Sequence, residues 1–375
     1  MKEMNKKKII LTGGGTAGHV WPLVSVYQKM KNDYEVLYLG SGEKKEKEIV
    51  ERAGIKYKKI LSGKFRRYFS LLNFIDPIKV IIGIIQAKWH ILRFWPDVIF
   101  AKGGYVTVPV GIAGFILGRK LIIHESDSVM GLSNKILSKF SKKIFCAFPI
   151  ENYPEKIRHK ILWTGVPVRP EILTGDRGKA KDIFGFTRDL PTVLFIGGSS
   201  GAAGINKMVK EKIDKLLEFC QVIHITGKSD YQKIRKRSLE LPQDLQKRFR
   251  YFDFVTRELP EIFALSDLII SRAGATTLFE LASQGKPVIF IPYPDAASNH
   301  QYLNAKILER NQAAILMEEG KTTSEQLVAQ IKRLLDNNRA MENLSTNIKK
   351  FGKKDSSDVI ADEIDKIVKA GRGLL

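Results

Sequence analysis

Short apolar runs recur along the chain, separated by longer stretches of mixed apolar and polar residues, and the alternation comes in two series. Strand-like runs of the first series are Lys8–Leu11, Glu35–Leu39, Val98–Phe100, Leu121–His124, Lys143–Cys146 and Ile161–Thr164. Those of the second are Val193–Ile196, Gln221–Thr226, Arg250–Asp253, Leu268–Ser271 and Val288–Ile291. Between them lie segments of helical period, such as Ile205–Phe219 and Thr277–Gln284. Strands that alternate with helices predict parallel sheets covered on both faces, an α/β fold with two Rossmann-like halves. The series meet at Gly165–Pro170, GVPVRP, whose prolines disfavour a helix and predict a hinge. The last segment, Asp355–Lys369, sets Val359, Ile360, Ile364 and Ile367 on one helical side and is expected to pack back onto the first half. The expected domains are residues 1–168 with 355–375, and residues 169–354.

Glycine-rich turns punctuate both series. KIILTGGGTAGH at Lys8–His19 and VLFIGGSSGAAG at Val193–Gly204 each join a short strand to a helix start. One such turn is weak evidence; two in tandem predict halves whose loops face each other across a cleft. That suits a phosphate-bearing donor on one half and an acceptor on the other. The first turn lacks a strict dinucleotide fingerprint, and no acidic residue clearly ends the second strand to hold a ribose.

Composition narrows the partners. The chain has 375 residues, 44% of them apolar and 27% charged, with a formal charge of +22. Residues 1–169 carry 30 Lys/Arg against 13 Asp/Glu, and residues 170–375 carry 32 against 27. The positive field therefore belongs to the first half and predicts a polyanionic partner there. Two cysteines, Cys146 and Cys220, stand in apolar contexts without ligand spacing, as expected of buried thiols in a reducing cytoplasm. The N-terminal apolar stretch is too short for a signal peptide, and no run of about 18 apolar residues predicts a membrane span.

His19 stands where the first turn opens its helix, a place for a general base, since imidazole titrates near neutral pH. Read alone, it serves equally as a cap or a packing residue. Ser199 and nearby amides of the second turn predict an anion site, with a packing turn as the alternative. The stretch Leu268–Asn304, LIISRAGATTLFELASQGKPVIFIPYPDAASNHQYLNA, is more specific. Its turn Arg272–Ala275 opens a helix through Thr276 and Thr277, where amides and the helix dipole can cradle a diphosphate without a metal. Glu280, a turn further on, can accept from a ribose diol, and a polar loop brings His300 and Gln301 to the same edge. For Glu280 and Gln301 the alternative is solvated surface.

These segments resemble the MurG family of bacterial peptidoglycan N-acetylglucosaminyltransferases, which have the GT-B fold. The resemblance runs nearly end to end: GGGTAGHVWP, KGGYVTVP at Lys102–Pro109, HESDSVMGLSNK at His124–Lys135, TGVPVR at Thr164–Arg169, GGSSGA at Gly197–Ala202, and the Ser271–Asn304 block. It implies inverting transfer of N-acetylglucosamine from UDP-GlcNAc to the 4-hydroxyl of the muramic acid sugar of lipid I, giving lipid II. By motif match, His19 is the base, and Thr16, Ala17 and Gly18 lie near the donor sugar and phosphates. Arg169 and Ser199 meet the diphosphate and sugar, and Val255 offers backbone contacts to uracil. Ala275, Thr276, Thr277, Leu278, Phe279 and Glu280 hold phosphates and ribose, and Gln301 the sugar hydroxyls. Asp127 completes the substrate-binding set, directed at sugar hydroxyls or the acceptor. No DxD-like metal motif stands in a suitable loop, so neither metal nor cofactor is expected. This sequence departs from the family at Ala17 (often glycine), at HESD (often HEQN, which places Asp127 where asparagine is frequent) and at His300 (commonly glutamine).

A lipid acceptor requires docking to the inner face of the cell membrane by a cytoplasmic, peripheral enzyme. Residues Lys64–Trp95 suit such docking, because Phe65, Tyr68, Phe69, Phe74, Ile81, Ile82, Ile85, Trp89 and Trp95 alternate with Lys64, Arg66, Arg67, Lys79, Lys88 and Arg93. Such interleaving suits anionic inner-leaflet lipid, with a core-facing helix as the alternative. The aromatics match no RNA-binding motif, so no nucleic-acid partner is expected. Competing functions are another GT-B glycolipid transferase, a UDP-GlcNAc 2-epimerase, and a non-catalytic sugar-nucleotide sensor.

Overall fold

The computed structural model describes residues 6–63, 72–186, 190–197 and 201–372, without the side chains of 17, 72–74 and 371–372. It divides into two compact units, Met1–Val168 with Lys353–Leu375, and Arg169–Gly352.

Among the described residues the first unit holds seven strands: Lys7–Thr12 (β1), Tyr34–Gly40 (β2), Lys56–Lys59 (β3), Val98–Ala101 (β4), Lys120–Glu125 (β5), Lys143–Cys146 (β6) and Ile161–Trp163 (β7). They form one parallel sheet in the order β3-β2-β1-β4-β5-β6-β7. Central strands such as VIFA at Val98–Ala101 are buried throughout, as a sheet covered on both faces requires. β3 reads KYKK and has no apolar pattern; it forms at the sheet edge against Leu37–Gly40, where lysines can remain solvated. Helix Ser356–Arg372 places Ile360, Ala361, Ile364 and Val368 in the core with Val20, Leu23 and Val24 of helix Ala17–Met30. Asp365 anchors it by accepting from Lys7 and from Tyr34 Oη at 2.9 Å.

The second unit holds Thr192–Ile196 (β8), Gln221–Ile225 (β9), Phe249–Phe252 (β10), Leu268–Ser271 (β11), Val288–Phe290 (β12) and Ile315–Leu316 (β13). All pair in parallel, in the order β10-β9-β8-β11-β12-β13. Helices Ala203–Phe219 and Ser324–Leu335 pack Ile205, Val209, Leu217, Leu327 and Ile331 onto this sheet. In each unit the chain reverses direction beside its first strand, at β1/β4 and at β8/β11. Those switch points leave a crevice outside the carboxyl ends of the strands. Cys146 and Cys220 are buried free thiols.

Candidate active site

Because the strands of the second unit are parallel, the turns that follow β8 to β12 share one edge of the sheet. After β11 the turn Arg272–Gly274 enters helix Ala275–Gln284. Gly274 is its N-cap (φ −67°, ψ 134°), and among the described residues no side chain caps the helix. A Cβ on Gly274 would meet no atom of the described residues within 4 Å. Uncapped first-turn amides with open space before them form an anion site that the helix dipole strengthens. Thr276 and Thr277 are half-buried at that mouth. Leu278 and Phe279 turn their side chains into the core, and the Leu278 amide already donates to the Gly274 carbonyl at 3.0 Å. What these two offer a ligand is therefore backbone only.

Glu280 is 3% exposed, and its Oε1 accepts from both Nε and Nη2 of Arg169 at 3.0 Å. Burial pushes its carboxyl above the ordinary range, and the guanidinium only partly opposes this. Gln301 is the second residue of helix His300–Arg310, and its Oε1 accepts from the Tyr293 amide at 3.0 Å. The preceding loop carries two successive non-glycine residues in the left-handed region, Ser298 (φ 57°) and Asn299 (φ 54°), a strain typical of ligand loops. His300 Nδ1–H donates to the Ala297 carbonyl at 2.7 Å. Val255 lies half-buried in the turn after β10, next to the exposed Phe254. Ser199 lies outside the described residues.

Two supports of this edge rest on partners that no motif marked. Arg272 donates from Nη1 to the carbonyls of Ile291 and Pro292 at 2.9 and 3.1 Å and pairs with Glu319. A Cβ on Gly204 would lie 2.2 Å from Glu319 Oε1, so this carboxylate sits against the first turn of helix Ala203–Phe219. Below the β8 turn, His224 Nε2–H donates to Asn206 Oδ1 at 2.8 Å, and Asn206 Nδ2 donates to the Thr226 carbonyl and to Asp230. Burial pulls the His224 imidazole down to about 3, so it stays neutral.

In the first unit the turn Gly13–Thr16 follows β1. Tyr38 Oη donates to the Gly13 carbonyl at 2.6 Å, and His19 Nδ1–H donates to the Gly14 carbonyl at 2.8 Å. Since a carbonyl only accepts, this bond fixes the imidazole tautomer with its lone pair on Nε2. Thr16 is the N-cap of helix Ala17–Met30, with Oγ1 3.4 Å from His19 Nδ1. Ala17 and Gly18 open that helix, and a helical backbone accepts alanine at 17. The turn after β4 seals the other side. Gly104 (φ +89°) lies so close that a Cβ there would be 2.2 Å from the Gly14 carbonyl oxygen. Glu46 closes the remaining approach: it accepts from the Ser41 amide and from Tyr57 Oη, and a Cβ on Gly14 would lie 2.7 Å from its Oε2.

Asp127 belongs to a third cluster, at the ends of β4 and β5. There Lys102 is 2% exposed and donates to Ser126 Oγ. Buried Glu125 accepts from the amides of Asp127 and Gly131 and from Asn134 Nδ2. Neither Lys102 nor Glu46 was marked by spacing. Lys102 and Tyr105 stand only in the KGGYVTVP motif, and Tyr38 and Glu46 in no motif at all. Among the described residues, no group of three His, Cys, Asp or Glu is placed to hold a metal ion.

Residues 9–146 match the glycosyltransferase family 28 N-terminal domain, and residues 192–360 match its C-terminal domain. A Bacillus anthracis UDP-N-acetylglucosamine–N-acetylmuramyl-(pentapeptide) pyrophosphoryl-undecaprenol N-acetylglucosamine transferase is 40% identical, over 96% of this chain and 99% of its own length. The transferase of the same name from Clostridium tetani is 39% identical over 96% and 98%. Among solved structures, Acinetobacter baumannii MurG superposes with a TM-score of 0.77 at 24% identity, covering 96% of this chain and 99% of that one. A Neisseria meningitidis UDP-GlcNAc 2-epimerase superposes at 0.67 with 14% identity, over 96% and 100%, a likeness of fold alone.

Proposed function

This chain belongs to glycosyltransferase family 28, and from that premise we infer that it is the N-acetylglucosaminyltransferase that moves GlcNAc from UDP-GlcNAc to the 4-hydroxyl of the MurNAc of lipid I, forming lipid II for peptidoglycan. One observation carries the reading: an uncapped helix start at Gly274–Ala275, with the buried carboxylate of Glu280 less than two turns on. Diphosphate and ribose of a nucleotide sugar are separated by about that distance. The 2-epimerase alternative shares only the fold, whereas the relatives at 39–40% identity are transferases.

In the mechanism we propose, the second unit holds the donor. The amides of Ala275–Thr277 take the diphosphate, Glu280 the ribose diol, the Val255 backbone the uracil, and Gln301 the sugar hydroxyls. Arg169, poised on Glu280, and Ser199 supply further donors to the phosphates as UDP leaves. The first unit supplies the base. His19 Nε2 takes the proton of the acceptor hydroxyl as its oxygen bonds to the anomeric carbon and the bond to the diphosphate breaks, inverting the centre. The Gly14 carbonyl, already bound to Nδ1–H, stabilises the imidazolium that forms. Thr16, Ala17, Gly18 and Asp127 border this site. An assay with UDP-GlcNAc and a lipid I analogue tests the reading, and folded protein without transfer would refute it.

We also propose that the enzyme docks peripherally on the inner membrane face through helix Leu72–Phe94. Ile78, Ile81, Ile85 and Trp89 are 56–63% exposed, and Trp95, just beyond the helix, is 55% exposed. Its opposite side packs Ala87 and Ile91 into the unit. Arg93 lies over Trp89 and Arg119 over Trp95, at 5.6 and 4.1 Å, so cations flank the aromatics. An apolar surface of this kind on one helix marks an interface, and the cations favour anionic lipid. Lys64, Phe65, Arg66, Arg67, Tyr68 and Phe69 lie outside the described residues, as does the Phe74 side chain. No helix among the described residues is long and apolar enough to cross a membrane. Flotation with vesicles rich in phosphatidylglycerol tests the docking, and recovery equal to that with neutral vesicles would defeat it.

A further inference from the structure

Of the cluster at the ends of β4 and β5 the mechanism above uses only Asp127, yet the cluster also contains a lysine sealed from solvent. Lys102 is 2% exposed, its amide donates to the Thr12 carbonyl at 2.9 Å, and its ammonium donates to Ser126. Its Cβ would be 3.4 Å from a Cβ on Gly13, so its stem lines the turn that carries His19. The chain turns sharply from Glu125 to Asp127, and the Glu125 carboxylate accepts the Asp127 amide at 3.0 Å. Ser126, which takes the ammonium, stands between Glu125 and Asp127, so the cation reaches the turn that carries both carboxylates, Glu125 buried and Asp127 half-buried.

We propose that Lys102 is a positioning residue of the transfer reaction: its buried ammonium balances Glu125 together with Asp127 and so holds the 125–127 turn against the His19 turn. The inference rests on the transferase reading. An asparagine at 127 would leave Lys102 facing one carboxylate. The aspartate in this sequence adds a second, which makes the cation indispensable. Desolvation pulls the ammonium down to about 8, with Glu125 and Asp127 both opposing the fall. Burial raises the Glu125 carboxyl, and Asp127 raises it further. The other titratable groups against the cluster are His124, kept neutral by burial with Lys102 adding to the effect, and the Tyr153 hydroxyl and Cys146 thiol, both pushed up by burial. None of these three carries charge near neutral pH. Removing the ammonium takes this cation from the buried carboxylate of Glu125 and the half-buried one of Asp127, which is far more harmful than never having had the pair.

The test uses the full chain as wild type, Lys102→Met, Asp127→Asn and the double variant. For each, kcat and KM for transfer to a lipid I analogue are measured from pH 6 to 10, along with the thermal midpoint without substrates. Lys102→Met is expected to lower kcat about tenfold or more, and adding Asp127→Asn to restore most of the loss. Asp127→Asn alone removes a charge that supports the ammonium, so the alkaline fall of kcat moves to lower pH. A double variant no better than Lys102→Met, or an alkaline limb unmoved by Asp127→Asn, overturns the proposal. If Lys102→Met does not fold, the wild-type and Asp127→Asn profiles decide between these outcomes. A wild type with no transfer refutes the transferase reading instead, and the proposal is then judged by the midpoints: their non-additivity supports the charge coupling, and additive midpoints overturn it.

Discussion

The turn after β1 and the turn after β11 each border the switch point of their own unit, on opposite sides of it, and they are built in opposite ways. In the first, Tyr38 and His19 occupy the carbonyls of Gly13 and Gly14, and Gly104 and Glu46 close the space around them. In the second, Gly274 faces open space and the helix behind it has no cap. A turn braced by side chains holds one imidazole in one tautomer, as a proton acceptor requires. A turn left open keeps its amides for a ligand that brings its own negative charge. In the mechanism we propose, the difference separates a catalytic group from a binding site within one repeated topology.

The most severe break in that contrast is His19→Ala. It is expected to lower kcat by about 10²–10⁴-fold while UDP-GlcNAc affinity, measured by calorimetry, changes little. Comparable losses of binding and turnover would remove His19 from the role of base. On the open side, Glu280→Gln replaces a charged acceptor and leaves Arg169 without its carboxylate. UDP-GlcNAc affinity should weaken roughly 10- to 100-fold. Because burial raises this carboxyl, wild-type affinity should also fall on acidification at a higher pH than an ordinary carboxylate would give. Titrating the affinity from pH 7 down to 5 reads this directly, and a flat profile counts against a ribose on Glu280.

A pair of glycine substitutions sharpens the comparison. Gly104→Ala must place a methyl against the Gly14 carbonyl at a φ of +89°, and should lose about 1–3 kcal/mol in urea unfolding. Gly274→Ala meets no atom and has φ −67°, so its midpoint should stay near wild type while donor affinity responds. Equal destabilisation would mean that the turn after β11 is braced after all. The smallest effect belongs to the surface. Ile85→Glu should reduce partitioning onto anionic vesicles roughly fivefold, with transfer to a water-soluble acceptor unchanged.

Much of this architecture was legible along the chain. The two series of apolar runs mark eleven of the thirteen strands among the described residues, because most strands of a sheet covered on both faces need apolar side chains. The two that went unmarked are KYKK at Lys56–Lys59 and the two-residue Ile315–Leu316, edge strands that only a neighbour's hydrogen bonds hold in place. Glu319, Glu46 and Tyr38 also left no trace, since each acts on groups outside its own element. Likewise, the chain shows Ile81, Ile85 and Trp89 to be apolar, but only the fold shows that they face outward.

What the sequence determined by itself is local: where strands end, where glycines permit a turn, and where a helix starts after such a turn. Those follow from backbone sterics and from periods of two and 3.6 residues. The tertiary structure alone decided the pairings: Glu280 with Arg169, Tyr38 with Gly13, Lys102 with Ser126. Each joins groups from separate elements, and whether such a group is buried, charged or braced depends on what packing brings beside it.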